Sequence, residues 1–430
     1  MSMALVSVLF FVAVILLGAF RKTNVGILAF GMGLLAVRVC SVTGEFALDD
    51  TTLVSAVSSS TFVMLAGITL LFAVINSTGA LELLAKKVVF LAKDHIWVIP
   101  IAMYAAGFII AGVGPGAIPA TAIIPGLAVS VAVQVGYHPV MLAVIGILGL
   151  CAGRMTPITP EAALIQGVAS EVGVEGVMPA ILACQVVVTI VFALIIFFVY
   201  KGHKVKALPE NVQMVLTEKF NRKQITSLLM IPALLVLLIF FDANTGIAAF
   251  FLAGILLVFG VADDGKCIKA IPWNTILMVL GVGAILDVVN QTGGIDMMIN
   301  GLSSIMTSNT ATPLMGISAG LLSTVSSALG VVYPTMMPMA QGLADTLGNG
   351  ASAVAIMAAV GSGGSLSGLS PLSGGGAMIL AALGANDPSF SKEKENKIFV
   401  EMIVIGVSSV LVIAAVSFIS YKPIVALFGF

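Results

Sequence analysis

Residues Gly114 to Glu161 read GPGAIPATAIIPGLAVSVAVQVGYHPVMLAVIGILGLCAGRMTPITPE. Gly114-Pro115-Gly116 and Pro119 interrupt one apolar run, and Thr156-Pro157-Ile158-Thr159-Pro160 interrupts the next. Gly and Pro end helices, and a Pro pushes the residue before it out of the α region. In lipid, the backbone groups freed by such breaks must be buried in protein or line a water-filled cavity. Paired broken segments in the two halves of a membrane protein mark a transport site.

The second half carries the matching pair. Residues 62–82 read FVMLAGITLLFAVINSTGALE and residues 276–296 read ILMVLGVGAILDVVNQTGGID. Aligned without a gap, Gly67 falls on Gly281, Asn76 on Asn290, Thr78 on Thr292 and Gly79 on Gly293. Further on, Ala106-Gly107 falls on Ala319-Gly320, Pro125 on Pro338, and Thr156-Pro157-Ile158-Thr159 on Ser370-Pro371-Leu372-Ser373. Several motifs at nearly one offset, roughly 213 to 214 residues, read as an internal duplication.

Hydrophobic residues make up 59% of the chain and charged residues only 9%. Soluble domains carry about 25% charged residues, so this is a polytopic membrane protein. A net charge of −1 offers nothing to nucleic acid. Cys40, Cys151, Cys184 and Cys267 lack metal-ligand spacing and read as small apolar residues. The apolar run from Met3 to Phe20 has its positive charges after it, at Arg21-Lys22, so it reads as a membrane helix and not a signal peptide.

A helix of about 20 apolar residues spans the bilayer. Candidate spans are 3–20, 25–40 and 60–77, followed by an amphipathic surface segment at 80–94. Residues 95–113 and 119–136 read as a re-entrant hairpin, 139–173 as a broken span and 177–200 as the last span of this half. After a linker at 201–224, the order repeats with spans 225–241, 246–261 and 274–290 and a surface segment at 291–308. A hairpin at 310–345, a broken span at 350–385 and a last span at 398–420 complete it. The expected fold is an all-α polytopic membrane protein of two repeats, 1–200 and 225–430. Each has five transmembrane helices, one of them broken, and one re-entrant helical hairpin. Five is odd, so the second repeat is inverted. With the N-terminus outside, sixteen of the nineteen Lys and Arg residues fall in cytoplasmic loops.

Broken helices offer carbonyls to cations and helix N-termini to anions, and hydroxyls serve either. Candidates in the first half are Gly114, Pro115, Gly116, Ala117, Thr121, Thr156 and Thr159. Those in the second are Ser326, Ser327, Ala328, Ser365, Ser367, Ser370 and Ser373. Each Ser or Thr also has the ordinary alternative of bonding its own helix. Arg154 has no counterpart, since Gly368 takes its place. It can take a substrate carboxylate in a bidentate pair, or pair with Glu161, which is also unmatched. Asp287, in a span, reads as a proton carrier or as a group facing a water-filled crevice. Asn76-Ser77-Thr78-Gly79 and Asn290-Gln291-Thr292-Gly293 read as helix ends with Gly at positive φ. No HExxH and no nucleophile–base pair is present, which disfavours an enzyme.

This arrangement resembles the ion transporter superfamily, which includes the divalent anion/sodium symporters. There, each of two inverted repeats carries a hairpin and a broken helix, and the hairpin tips hold Ser-Asn-Thr. Here the tips read Gly114-Pro115-Gly116-Ala117 and Ser326-Ser327-Ala328. GPGAIPATAIIPGLAVSVAVQ, then YHPVM, then AGRMTPIT are similar to the MatC-type dicarboxylate (malonate) carriers. The resemblance implies a small dicarboxylate substrate, a homodimer and elevator motion, and the expected location is the plasma (inner) membrane. The scaffold is expected at about 1–94 and 177–308, and the moving domain at about 95–176 and 309–397.

The expected function is secondary transport of a small dicarboxylate. Gly114, Pro115, Gly116, Thr121, Arg154, Thr156, Ser326, Ser327 and Ser370 are the substrate candidates. Sodium is the expected coupling ion, at Gly114–Ala117 with Thr156–Thr159 and at Ser326–Ala328 with Ser370–Ser373. A proton and Asp287 are the alternative, and an anion channel or uniporter on the same fold is the runner-up. The topology is testable. A cysteine at Val212 in a cysteine-free background should react with an impermeant maleimide only after the cells are opened, and one in 291–308 should react on intact cells. Labelling of position 212 from outside would exclude the inverted arrangement.

Overall fold

The computed structural model describes residues 2–21, 23–42, 48–91, 95–205, 218–348, 350–371, 374–386 and 391–430. In the first half the helices are α1 (Met3–Arg21), α2 (Val25–Ser41), α3 (Asp50–Ser55), α4 (Ser59–Ser77), α5 (Ala80–Phe90), α6 (Ile99–Gly112), α7 (Ala117–Val135), α8 (Pro139–Gly153), α9 (Pro160–Glu171) and α10 (Met178–Val199). In the second they are α11 (Arg222–Phe241), α12 (Thr245–Val258), α13 (Asp264–Ala270), α14 (Trp273–Gln291), α15 (Gly294–Ser303), α16 (Ala311–Val325), α17 (Tyr333–Met336), α18 (Met339–Leu347), α19 (Ala353–Leu366), α20 (Gly374–Asn386), α21 (Lys392–Val416) and α22 (Lys422–Ala426). Among the described residues, seven helical segments are long and apolar enough to cross a membrane, and shorter apolar helices accompany them.

Local signals set the boundaries. Gly79 and Gly293 sit at φ 72° and 77°, the left-handed conformation that ends α4 and α14 and starts α5 and α15. Pro139 and Pro160 occupy the first turns of α8 and α9, where the missing N–H is no loss. On the amphipathic α5, Glu82 and Lys86 pair at 2.9 Å, and that bond raises the lysine above its ordinary value.

Two sets of helix contacts stand out, joined by α5 on α6 and α4 on α9. In one, α2 lies on α14 and α4 on α12, with α1 against α15 and α11 against α5. Each of these pairings joins an element of one half to an element of the other. They come in reciprocal pairs along the chain, α2 on α14 with α12 on α4, and α1 on α15 with α11 on α5. In the other group α6 packs on α8, α7 on α8, and α16 on α19. The broken helices also meet across the halves, with Cys151 Sγ 3.5 Å from the Ser365 carbonyl oxygen.

Several details differ from expectation. Residues 177–200 do not pack with the first spans. α10 lies against α8 and α19, and its buried polar side chains find partners on that side: Ser362 Oγ of α19 donates to Gln185 Oε1 at 2.8 Å, and Thr189 meets Tyr104 OH of α6 at 2.8 Å. The return arm of the second hairpin is not one helix. A π turn at Ala328–Val332 leads into α17, which carries Pro334 in its first turn, and Pro338 divides α17 from α18. The short α3 and α13, each started by an aspartate cap, precede α4 and α14 in corresponding places.

Two close crossings hold the first group. A Cβ on Gly67 would run into the Gly246 carbonyl and stand 2.9 Å from the Phe250 ring; one on Gly281 would run into Gly26. Small residues let helix backbones approach this closely where no hydrophobic force drives them together. Gly67→Ala should therefore lower stability by roughly 1–3 kcal/mol. Gly31→Ala, with nothing within 4 Å of its new methyl, should leave the melting temperature of the purified protein unchanged or raised.

Candidate functional site

α6 stops at Gly112 and the chain turns through Gly114 and Gly116, at φ 132° and 69°. Gly116 is required twice over. Its backbone is in the positive-φ region, and a Cβ there would collide with the Glu161 carboxylate. Thr156, in the first break, donates its hydroxyl to the Gly112 carbonyl at 2.5 Å and so ties the break to the hairpin tip. Thr159 donates to the Arg154 carbonyl at 2.5 Å and accepts the Ala162 N–H at 3.2 Å, capping α9. Thr121 donates to its own helix, at the Ala117 carbonyl, 2.6 Å away.

The centre of this half is an ion pair. Arg154 Nη2 lies 3.1 Å from Glu161 Oε1, with the side chains only 10% and 2% exposed. The same carboxylate oxygen accepts the Ala117 N–H, the first of α7, at 2.9 Å. Glu161 stands in the first turn of its own helix α9. A helix N-terminus favours negative charge, and here two of them and a guanidinium converge on one carboxylate. The pairing is incomplete: Arg154 Nε and Glu161 Oε2 are both buried without a hydrogen-bond partner.

In the second half, Ser326 donates to the Leu322 carbonyl at 2.6 Å, and Ser327 Oγ caps the π turn by accepting the Gly330 N–H at 3.1 Å. Ser323 donates to the Gly364 carbonyl at 2.8 Å, joining tip to break, as Thr156 does in the first half. Ser365 bonds both the Gly361 carbonyl, at 2.7 Å, and Tyr333 OH, at 2.9 Å. Ser367 donates to the Gly363 carbonyl, and Ser370 follows in extended conformation at ψ 141°. Ser373 lies outside the described residues.

All four interruptions reach one cavity of ≈ 1120 Å³. Ala117, Thr121, Arg154, Ser326, Ser327 and Ala328 line it, with Ser365 and Gly368 from the second break. Pro115 lines a second cavity of ≈ 420 Å³, and Ile118, Ala122, Glu161 and Leu329 form part of the wall of both. Gly114, Gly116, Thr156, Thr159 and Ser370 do not line either cavity. The two threonines spend their hydroxyls on carbonyls of the tip and the break, so they brace the site. Asp287 stands apart, in a cavity of ≈ 340 Å³ beside α4 and α9, and accepts the Gln291 amide at 2.6 Å.

A family model described as "Citrate transporter" (CitMHS) matches residues 7–361. The chain belongs to the citrate transporter family. Comparison with curated protein sequences returns no match. Among solved structures, the fold is similar to that of the YdaH transporter of Alcanivorax borkumensis, whose crystal structure is described as revealing an unusual topology. The TM-score is 0.61 at 14% identity, over 94% of this chain and 98% of that one. This is thus a transporter and an integral membrane protein, of a family within the ion transporter superfamily.

In this citrate-transporter-family chain, Thr275, Ser323, Thr324 and Cys151 line the main cavity without having been expected there. Their only sequence signal is nearness to a break or to a span start. Glu161 was expected only as a partner for Arg154, yet its carboxylate also reaches the hairpin tip. The Thr156 brace is open to test. Thr156→Val orphans a carbonyl and should cost about 1–3 kcal/mol of stability in thermal unfolding, whereas Thr156→Ser retains the bond and most of the stability.

Proposed function

We propose that this protein is a secondary active transporter of a small di- or tricarboxylate, working by an elevator mechanism on two inverted repeats. The observation that carries the reading is the cavity in which both hairpin tips and both breaks meet the single guanidinium of Arg154. An Arg in a partly dry site recognises carboxylate geometry as an ammonium cannot. The family name points to citrate, while the likeness of GPGAIPATAIIPG and AGRMTPIT to MatC-type carriers points to malonate or a C4 dicarboxylate. The cavity also touches Leu16 and Phe20, next to Arg21, and Thr275 at the start of α14. In the positive-inside arrangement these positions are cytoplasmic, so the site is open inward. The group containing α6 to α10 and α16 to α22 is the proposed moving domain, and the group of α1 to α5 and α11 to α15 the proposed scaffold. The exposed apolar face of α11 and α12 suits a homodimer or lipid in the plasma membrane.

Moving a dianion against a negative-inside potential costs about 4.6 kcal/mol per 100 mV, so uptake needs at least two compensating cations or an exchanged anion. Sodium is proposed at the tip and break of each half, with proton coupling through Asp287 as the alternative. Purified protein in liposomes should accumulate a radiolabelled carboxylate and show counterflow with members of a mono-, di- and tricarboxylate panel. Uptake should fall when choline replaces sodium at fixed pH and potential. Equilibration without accumulation would establish the channel or uniporter reading, and full uptake driven by a pH gradient alone would remove sodium.

A further inference from the structure

The anion site at Arg154 is already filled, and by the protein itself. Glu161 Oε1 takes both Arg154 Nη2, at 3.1 Å, and the Ala117 N–H that opens α7, at 2.9 Å. These are the donors that an incoming carboxylate would seek: a guanidinium and a helix N-terminus at the hairpin tip. A purely structural pair, buried this deeply, gains most when it is bidentate and every lone pair is satisfied. This one is single-toothed. It leaves Arg154 Nε without an acceptor and Glu161 Oε2 without a donor, both buried, on residues that line the 1120 Å³ cavity. A buried donor without a partner on an arginine facing a cavity can serve an incoming acceptor.

Resting on the carboxylate-transport reading, we propose that Glu161 is a tethered stand-in for a substrate carboxylate. It holds the Arg154–Ala117 site in the unloaded protein, and substrate binds by taking Arg154 from it. The displaced side chain has somewhere to go. Glu161 is also part of the wall of the adjoining 420 Å³ cavity, which Asn76, Ser77 and Lys266 line as well. A released carboxylate there meets polar groups while remaining in the first turn of α9. Gly116 leaves no Cβ in the way of this exchange, since one would occupy the space of the Glu161 carboxylate. The device sets a threshold: a ligand must offer a carboxylate good enough to outcompete one that is covalently attached, so neutral and amide analogues are refused.

The test is equilibrium binding of malonate, succinate and citrate to detergent-purified protein by calorimetry. Glu161→Gln keeps the shape and can still accept the Ala117 N–H, but no longer competes for Arg154 with a full charge. It should bind its carboxylate roughly tenfold more tightly than wild type, or better. Arg154→Gln should bind weakly, and the double variant should show no gain, because nothing is left to compete for. A residue with only a structural role would lower affinity or leave it alone, so unchanged or weaker binding by a folded Glu161→Gln protein overturns the proposal. If that variant does not fold, Glu161→Asp retains the charge but is one methylene too short to hold both donors. It should show a smaller gain of the same sign, and no gain overturns the proposal equally. Where wild type binds and neither variant gains, the proposal alone falls; where wild type and variants bind none of the three acids, the carboxylate reading falls with it.

Discussion

Backbone groups freed inside a bilayer have no water to turn to, and the rest of this structure follows from how the chain supplies their partners. Four helices or hairpins are interrupted around one cavity. Short polar side chains from the same or a neighbouring segment supply partners: Thr156 on the Gly112 carbonyl, Thr159 on the Arg154 carbonyl, Ser323 on the Gly364 carbonyl, Ser327 on the Gly330 N–H. Two of these four bonds, one in each half, tie a hairpin to its own broken helix: Thr156 to Gly112 and Ser323 to Gly364. The two halves then share one cavity between them.

The same need divides the hydroxyl-bearing residues into two kinds. Thr156 and Thr159 are consumed by the frame, while Ser326, Ser327 and Ser365 bond the frame and also line the cavity. The asymmetry of the two halves lies in charge. The first break carries Arg154 and Glu161, and the corresponding stretch of the second carries Gly368. The electrostatic centre of the cavity is therefore one-sided, with its charged groups on the first break.

Much of this was legible in the chain. Gly-Pro-Gly and Thr-Pro-Ile-Thr-Pro mark breaks through local sterics alone, and the repeat of Gly67, Asn76 and Gly79 at Gly281, Asn290 and Gly293 marks the duplication. Less legible were contacts whose two sides are far apart in sequence. The packing of 177–200 went against expectation because a hydropathy run names no partner; it took the Gln185–Ser362 and Tyr104–Thr189 bonds to place α10 on the hairpin side. The π turn after Ser327 was equally hidden, since a one-residue excess in a helical turn leaves no periodicity to read.

What the sequence determined by itself was therefore the membrane class, many of the helix ends and the identity of the four interruptions. These follow from hydropathy and from the steric limits of Gly and Pro, which act over a few residues. Only the tertiary structure decided which candidates face the cavity, which hydroxyls are used up as braces, and that Arg154 meets Glu161 with one bond made and two atoms left unpaired. Those outcomes depend on ångström-scale placement of segments up to hundreds of residues apart. A carboxylate and a guanidinium seven positions apart on either side of a Pro-rich break can meet in several ways, and the packing of α7 on α8, with the Ala117 N–H on Glu161, selects one.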